Sequence, residues 1–319
     1  MRIVEMKLHT DVIGQHTVPR FLLDNFGVKK KGKRKQIFTF DKHNGCSFLQ
    51  STFDASTRKT FYNLTKNISL EPILAHYEGL AAPIFNKIIQ SKSIAHLTNI
   101  DKFDLSVFVA LQYSRSYASY IKVDKFLDSI LSCLKQTGLI DRIHGSKNLD
   151  SDETTKKKIY LQSILEQESV IHTLMNKVFV LYESDGASDF CISDHPVVFE
   201  QMLSKPYTGS DDLAFDGNVI YFPISPDLLL VLMCPKVVSS LEMMSKIQCS
   251  DFIIESCYTI RLLAKALADK TPLKRTGSDV VKLNCLQVAF SERYIYSVNN
   301  DFDFVEKVID IYPELKCSL

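Results

Sequence analysis

His16, in the stretch Gln15-His16-Thr17-Val18-Pro19-Arg20-Phe21-Leu22-Leu23, can take and give protons near neutral pH because imidazole titrates there without much tuning. A core histidine, a helix-end residue and a catalytic base look alike at this level. Gln112 and Arg115 are three apart on a helical pattern and so project to the same side. Gln112 shares a stripe with Phe108 and Val109, and burying its amide without partners would cost about 1–3 kcal/mol. Arg115 offers a planar fork to a phosphate or to a carboxylate, Glu78 and Asp194 being the internal candidates. Ser193-Asp194-His195-Pro196 interrupts an apolar run. Asp194 there either caps a turn through its own backbone or enters a site, where it would orient His16 or ligate Mg2+. Asn284 lies in the apolar run from Val280 to Leu286 and faces the same need for a partner as Gln112.

The run Lys29 to Lys35, KKKGKRK, carries six positive charges in seven residues. It is either a solvated loop that keeps a hairpin soluble or a contact for a phosphate backbone, which would be sequence-independent and salt-sensitive. A histidine followed three residues later by proline is also similar to the first half of a ββα-metal nuclease motif. The remainder is not convincing, because His43-Asn44 falls in a hairpin turn and no helix with a later histidine ligand follows at suitable spacing.

These residues need elements to position them. Pro19 to Phe26 reads as a helix of about two turns, followed by a strand at Gln36–Asp41, a turn at His43-Asn44-Gly45 and a second strand near Ser47–Gln50. A third extended piece spans Arg58–Leu64. Apolar residues at spacings of three and four mark an amphipathic helix over Glu71–Gln90, which Pro83 should bend or split, and a longer helix from Asp101 to about Lys135. Residues 137–155 read as a mobile loop, and Lys157–Lys177 as helix. The C-terminal half opens with a hairpin of Val178–Tyr182 and Phe190–Ile192 and continues with a pair at Val219–Phe222 and Leu228–Met233. Helices follow around 237–248, 251–269 and 279–290, then a strand at Tyr294–Val298. The expectation is an α+β fold, helix-rich with small antiparallel sheets, built as one interwoven domain over residues 1–319.

The 319-residue chain has a net charge of +1 and is 45% hydrophobic, with no global bias toward nucleic acid or membrane, so any basic partner site must be local. No apolar run approaches the ~20 residues of a membrane span, and no membrane partner is expected. The charged N-terminus argues against export. Eight cysteines without a C-x-x-C suggest neither structural zinc nor a disulfide framework, and Cys191, Cys234, Cys257 and Cys285, in or beside apolar runs, read as small core residues in a reduced cytosol.

Taken in order, several motifs resemble a bacterial and phage-borne family known as domain of unknown function 4238. They are Gln15-His16-x-Val18-Pro19-x-Phe21-x-Leu23, Phe61-Tyr62, the helix with Glu78 and Ala82, Leu111-Gln112-x-x-Arg115, Ile192-Ser193-Asp194-x-Pro196-Val197, Phe222-Pro223-Ile224-Ser225-Pro226 and Leu283-Asn284. The resemblance covers roughly Gly14 to Val298. The family often has threonine at Ser193, asparagine at His195 and a tryptophan that this chain lacks. The resemblance implies a family and little chemistry beyond a setting in conflict between bacteria and phages.

The leading expectation is a cytoplasmic nucleic-acid-acting hydrolase, a phosphodiesterase with or without Mg2+, whose partner is RNA or DNA. His16 would be general base or acid, Asp194 would orient it or hold the metal, and Arg115 would stabilise developing phosphorane charge. Gln15, Gln112, Ser193 and Asn284 would position substrate, and Lys30, Lys33 and Arg34 would hold its backbone. The alternative is a non-catalytic binding or regulatory protein, in which the same polar residues form a buried structural network or a pocket for a small anionic ligand.

Overall fold

Strands β8 (Asn218–Ser225) and β9 (Leu228–Met233) are buried along their whole length, which explains the continuous apolar runs NVIYF and LLLVLM. The computed structural model describes residues 8–29, 34–138, 153–202, 213, 215–246 and 254–317. Most of the expected loop at 137–155 and Lys30 to Lys33 of the basic run lie outside these residues. The first half contains β1 (Gly14–His16), α1 (Arg20–Leu23), β2 (Gln36–Asp41), β3 (Cys46–Ser51), β4 (Thr57–Lys59), α2 (Glu71–Ser91), α3 (Asn99–Ser114) and α4 (Tyr117–Gln136). The second contains α5 (Glu153–Leu165), α6 (Glu168–Met175), β5 (Val178–Ser184), β6 (Ile192–Ser193), β7 (Val198–Gln201), β8, β9, α7 (Pro235–Ser245), α8 (Ile254–Asp269), β10 (Leu273–Arg275), α9 (Gly277–Phe290), β11 (Tyr294–Ser297) and α10 (Asp303–Ile311). The fold is α+β.

The largest sheet has the order β10-β5-β9-β8-β7, antiparallel except for the parallel pair β10–β5. Alternate side chains of a strand face opposite ways, and here both faces are covered. Phe179, Ile220, Phe222, Leu230 and Leu232 pack against Phe85 of α2 and Phe108 of α3. Val180, Tyr182, Tyr221, Leu229 and Val231 pack against Val237, Leu263 and Val280 of α7, α8 and α9. The first core also contains Val18, Leu22, Phe26 and Ile37, so the two halves of the sequence share it.

A second sheet, β3-β2-β11-β6, joins the N-terminal hairpin to strands from the C-terminal half, and β1 pairs with β4 as a separate ribbon. The hairpin expected between Val178–Tyr182 and Phe190–Ile192 does not form. Both edges of β5 are taken by β9 and β10, and Ile192 and Ser193 pair instead with Tyr296 and Ile295. The expected strand 58–64 ends at Lys59, where Thr60 turns into a left-handed conformation (φ 48°).

The expected helix from 101 to 135 is two helices. Ser116 is extended (ψ 158°) and its hydroxyl accepts from the Ser119 amide, starting α4 anew. Helix α2 runs through Pro83 without splitting, and α1 is one α-helical turn prolonged by tighter bonds from Asn25 to Leu22 and Phe26 to Leu23. Among the described residues no helix is long and apolar enough to cross a membrane.

Candidate functional site

Two peptide carbonyls at the end of β1 organise the first cluster of expected site residues. Arg115 is 2% exposed and directs its guanidinium at them: Nε donates to the Thr17 carbonyl (3.3 Å), one terminal nitrogen to the His16 carbonyl (3.4 Å) and the other to Glu78 Oε1 (2.8 Å). Gln112 Nε2 donates to the same Thr17 carbonyl at 3.0 Å. The two residues do point the same way, and what they meet is main chain and Glu78. Gln15 is buried and its amide is spent: Oε1 accepts from the Tyr62 amide (2.6 Å), and Nε2 reaches Asn63 Oδ1 (2.7 Å), Ser69 Oγ and the Val12 carbonyl. The His16 ring packs edge-on to Phe53, and its Nε2 is buried without a hydrogen-bond partner. Burial lowers its pKa below the usual histidine value, against the opposing pull of the Phe53 backbone and Glu78.

Asp194 does not orient His16. Its carboxylate accepts three main-chain N–H bonds, from Glu292 (2.9 Å), Arg293 (2.8 Å) and Tyr294 (2.9 Å), and so builds the turn between α9 and β11. Burial pushes its pKa up while those amides pull it down. Ser193 Oγ donates to Gln287 Oε1 (2.7 Å), and Asn284 takes the Cys191 amide and the Asp189 carbonyl. His195 is sealed, with Nδ1 2.6 Å from Ser116 Oγ and a pKa pushed down by burial to about 3. Asn284 and Gln287 thus clamp residues 189–196 onto α9 where a strand partner is missing. Their spacing of three on one helix face was readable in the sequence, although Gln287 was not singled out.

A cleft of about 220 Å3 lies beside these clusters. Its lining includes Thr17, Ser56, Arg58, Tyr117, Tyr294 and Tyr296, with Asp194 and Arg293 also contributing. The Arg58 guanidinium lies 3.3 Å from the centre of the Tyr117 ring and 3.7 Å from Glu292, whereas Arg293 is held bidentately by Asp41 (2.9 and 2.7 Å). Ser56 is left-handed (φ 58°), a conformation rare outside glycine, and is fixed by its hydroxyl on Thr17 Oγ1 (2.6 Å) and on the Val18 amide (3.1 Å). The buried Tyr296 hydroxyl lines the cleft without a partner at hydrogen-bonding geometry, the Ser56 hydroxyl being the polar group beside it. Of the catalytic and substrate-binding residues expected from sequence, only Asp194 lines this cleft. Arg34 stands elsewhere, over the Phe53 ring at 4.4 Å, and Lys30 and Lys33 lie outside the described residues. No group of three His, Cys, Asp or Glu side chains among the described residues is arranged to hold a metal ion.

A family model described as a protein of unknown function, DUF4238, matches residues 14–301. The chain belongs to the DUF4238 family. No curated protein and no solved structure matches it. The matched span begins at the first residue of β1 and contains every residue of the cleft, so the cleft is assembled wholly from the DUF4238 region.

Within that region the sequence reading missed Tyr117, Tyr294 and Tyr296, which look like ordinary half-buried residues until the sheets are assembled. It also missed Lys42, a buried lysine that donates to the Val288 (3.0 Å) and Ser291 (2.8 Å) carbonyls and so caps the C-terminal end of α9.

Glu71, in the first turn of α2, is held by burial at a pKa of about 7, with Arg115 lowering it and Glu78 raising it. Between pH 4.5 and 7 the folded chain therefore keeps a proton that the unfolded chain has lost, and stability from this group falls as pH rises through that window. His16 and His195 act in the opposite sense below 6.5, because each is easier to protonate when unfolded. Glu71→Gln is expected to flatten the fall in melting temperature between those pH values and to exceed wild type above about pH 8. Superimposable pH profiles for the two proteins would refute the assignment.

Proposed function

We propose that the chain recognises nucleic acid, taking one nucleotide unit into the cleft with Arg58 on its phosphate and the tyrosine rings beside its base. The observation that carries this reading is the arginine stacked on Tyr117 at the mouth of a polar, ring-lined cleft. Drug-sized ligands occupy roughly 300–1,000 Å3, so a cavity of about 220 Å3 suits one unit of a longer ligand. Stacking on an aromatic side chain supplies about 1–3 kcal/mol per base, and an arginine fork suits a phosphate. The exposed free thiols of Cys46 and Cys133 fit a reducing cytosol as the place of action.

Arg58→Gln is expected to weaken binding of a labelled mononucleotide about tenfold and to reduce the salt slope of oligonucleotide binding by about 0.7, the share of one phosphate contact on a single strand. Both are measured by fluorescence anisotropy, and unchanged affinity would remove the cleft from the reading.

Hydrolysis of that nucleic acid, in bacterial defence against phage, is the second reading. The observation that favours it is His16, whose ring carries a buried nitrogen without a hydrogen-bond partner next in sequence to the cleft residue Thr17, with Glu71, a carboxyl whose pKa burial raises to about 7 near Arg115 and Glu78, as a second proton carrier. Incubation of labelled RNA and DNA with and without Mg2+ tests it, and intact substrate under both conditions would dismiss it.

A further inference from the structure

We propose that the ligand is a single strand, and that the phosphate next to the nucleotide in the cleft is held in a second, basic pocket across the turn of residues 52–56. This rests on the cleft reading above. The second pocket, about 260 Å3, is lined by Arg20, Asp24, Arg34, Lys35, Thr52 and Phe53. Thr52 and Phe53 face this pocket while Asp54 and Ser56 face the cleft, so consecutive residues of one turn wall both cavities.

The charge balance of the second pocket favours an anion. Asp24 is its single carboxylate. Thr52 Oγ1 donates to one oxygen (2.6 Å), and the other lies 3.5 Å from Arg20. Lys35 spends one hydrogen bond on the Asp24 carbonyl (2.6 Å). Neither Arg34 nor Lys35 forms an ion pair with a described side chain, which leaves an excess of two positive charges facing the pocket.

The path between the cavities is aromatic. Phe53 is 43% exposed at the turn, with the Arg34 guanidinium over its face, and Phe48, 40% exposed, lines the cleft rim. Alternation of exposed rings with cations is the arrangement by which proteins track a single strand, because every base has a π-face and every linkage a charge. A duplex keeps its bases paired and stacked, so none could enter the cleft without being flipped out.

The test compares a labelled mononucleotide, a short single-stranded oligomer in RNA and DNA versions, and a duplex of the same composition. Binding to full-length wild type, Arg34→Gln, Arg34→Gln/Lys35→Gln and Arg58→Gln is followed by anisotropy between about 50 and 200 mM salt. Wild type is expected to hold the oligomer at least roughly tenfold more tightly than the mononucleotide and more tightly than the duplex. The double variant should lose about 1.4 from the oligomer's salt slope, two single-strand contacts, with mononucleotide affinity unchanged. Arg34→Gln alone, which leaves the Lys35 bond intact, should lose about half of that. An oligomer affinity unaffected by both variants would overturn the second pocket, and equal affinity for duplex would overturn the single strand. Mononucleotide binding lost only in Arg58→Gln would keep the cleft reading even then, whereas mononucleotide affinity unaltered by Arg58→Gln would sink the cleft reading.

Discussion

Arg115→Met should melt roughly 5 °C below wild type, a loss of about 3 kcal/mol, because it removes the buried partner of an ion pair with the half-buried Glu78 and strips two peptide carbonyls of a donor. Glu78 would lose the donor at 2.8 Å that compensates its carboxylate. The His16 carbonyl would keep only the long 3.5 Å bond from the Tyr62 hydroxyl, and the Thr17 carbonyl only Gln112. These carbonyls fix the end of β1, where His16 and the cleft residue Thr17 sit, so the loosened segment lies at the site itself. Arg115→Met combined with Glu78→Leu should recover part of the loss, since a pair removed together leaves no carboxylate without its cation. Arg115→Lys keeps the charge but cannot reach all three acceptors with a rigid fork, and is expected to fall between. Thermal unfolding of the four proteins measures the coupling. A loss below about 1 kcal/mol in Arg115→Met, together with abolished ligand binding, would return Arg115 to the ligand-contacting role that the sequence suggested.

The second large effect belongs to Asp194. Removing its carboxylate strands the amides of Glu292, Arg293 and Tyr294, all bonded at 2.8–2.9 Å. Each stranded buried donor costs about 1–3 kcal/mol, and the cleft admits some water, so Asp194→Ala should lose about 3 kcal/mol in all. Asp194→Asn keeps one acceptor and turns an NH2 toward a backbone N–H, for roughly half that loss. His16→Ala provides the contrast, since its Nε2 makes no hydrogen bond and its ring gives up the edge-on contact with Phe53 and the backbone interactions with Thr52 and Phe53, but strands no cluster of amides. A catalytic pairing of His16 with Asp194 demands equal loss of activity in both alanine variants and stable folds in both. The geometry demands a large fall in melting temperature for Asp194→Ala and a small one for His16→Ala. Near-wild-type melting of Asp194→Ala would reject its role in building the turn between α9 and β11.

Much of the fold is legible in local patterns. The continuous apolar runs at 219–222 and 228–233 announced a pair of strands, and the spacing over Glu71–Gln90 announced α2, because burial of a regular element imposes its own pattern on the sequence. The break at Ser116 was obscured because the apolar stripe continues on both sides and a single capping hydroxyl decides it. The pairing of β11 with β2 and β6 was out of reach, since no turn residue or period links strands so far apart in sequence.

The polar residues divide along the same line. Gln112, Arg115, Asp194 and Asn284, each set among apolar neighbours, had to meet partners, because burying an amide or a charge unpaired is too costly for a native core. That requirement the sequence determined by itself. Which partners they meet was decided only by the tertiary structure, and for all but the Arg115–Glu78 pair they are main-chain groups, which a sequence carries at every position and therefore cannot single out. The cleft is tertiary for the same reason. Thr17, Ser56, Arg58, Tyr117, Asp194 and Tyr296 come from five separate segments, and only the closing of β1 on β4 and of β11 between β2 and β6 brings their side chains to one surface.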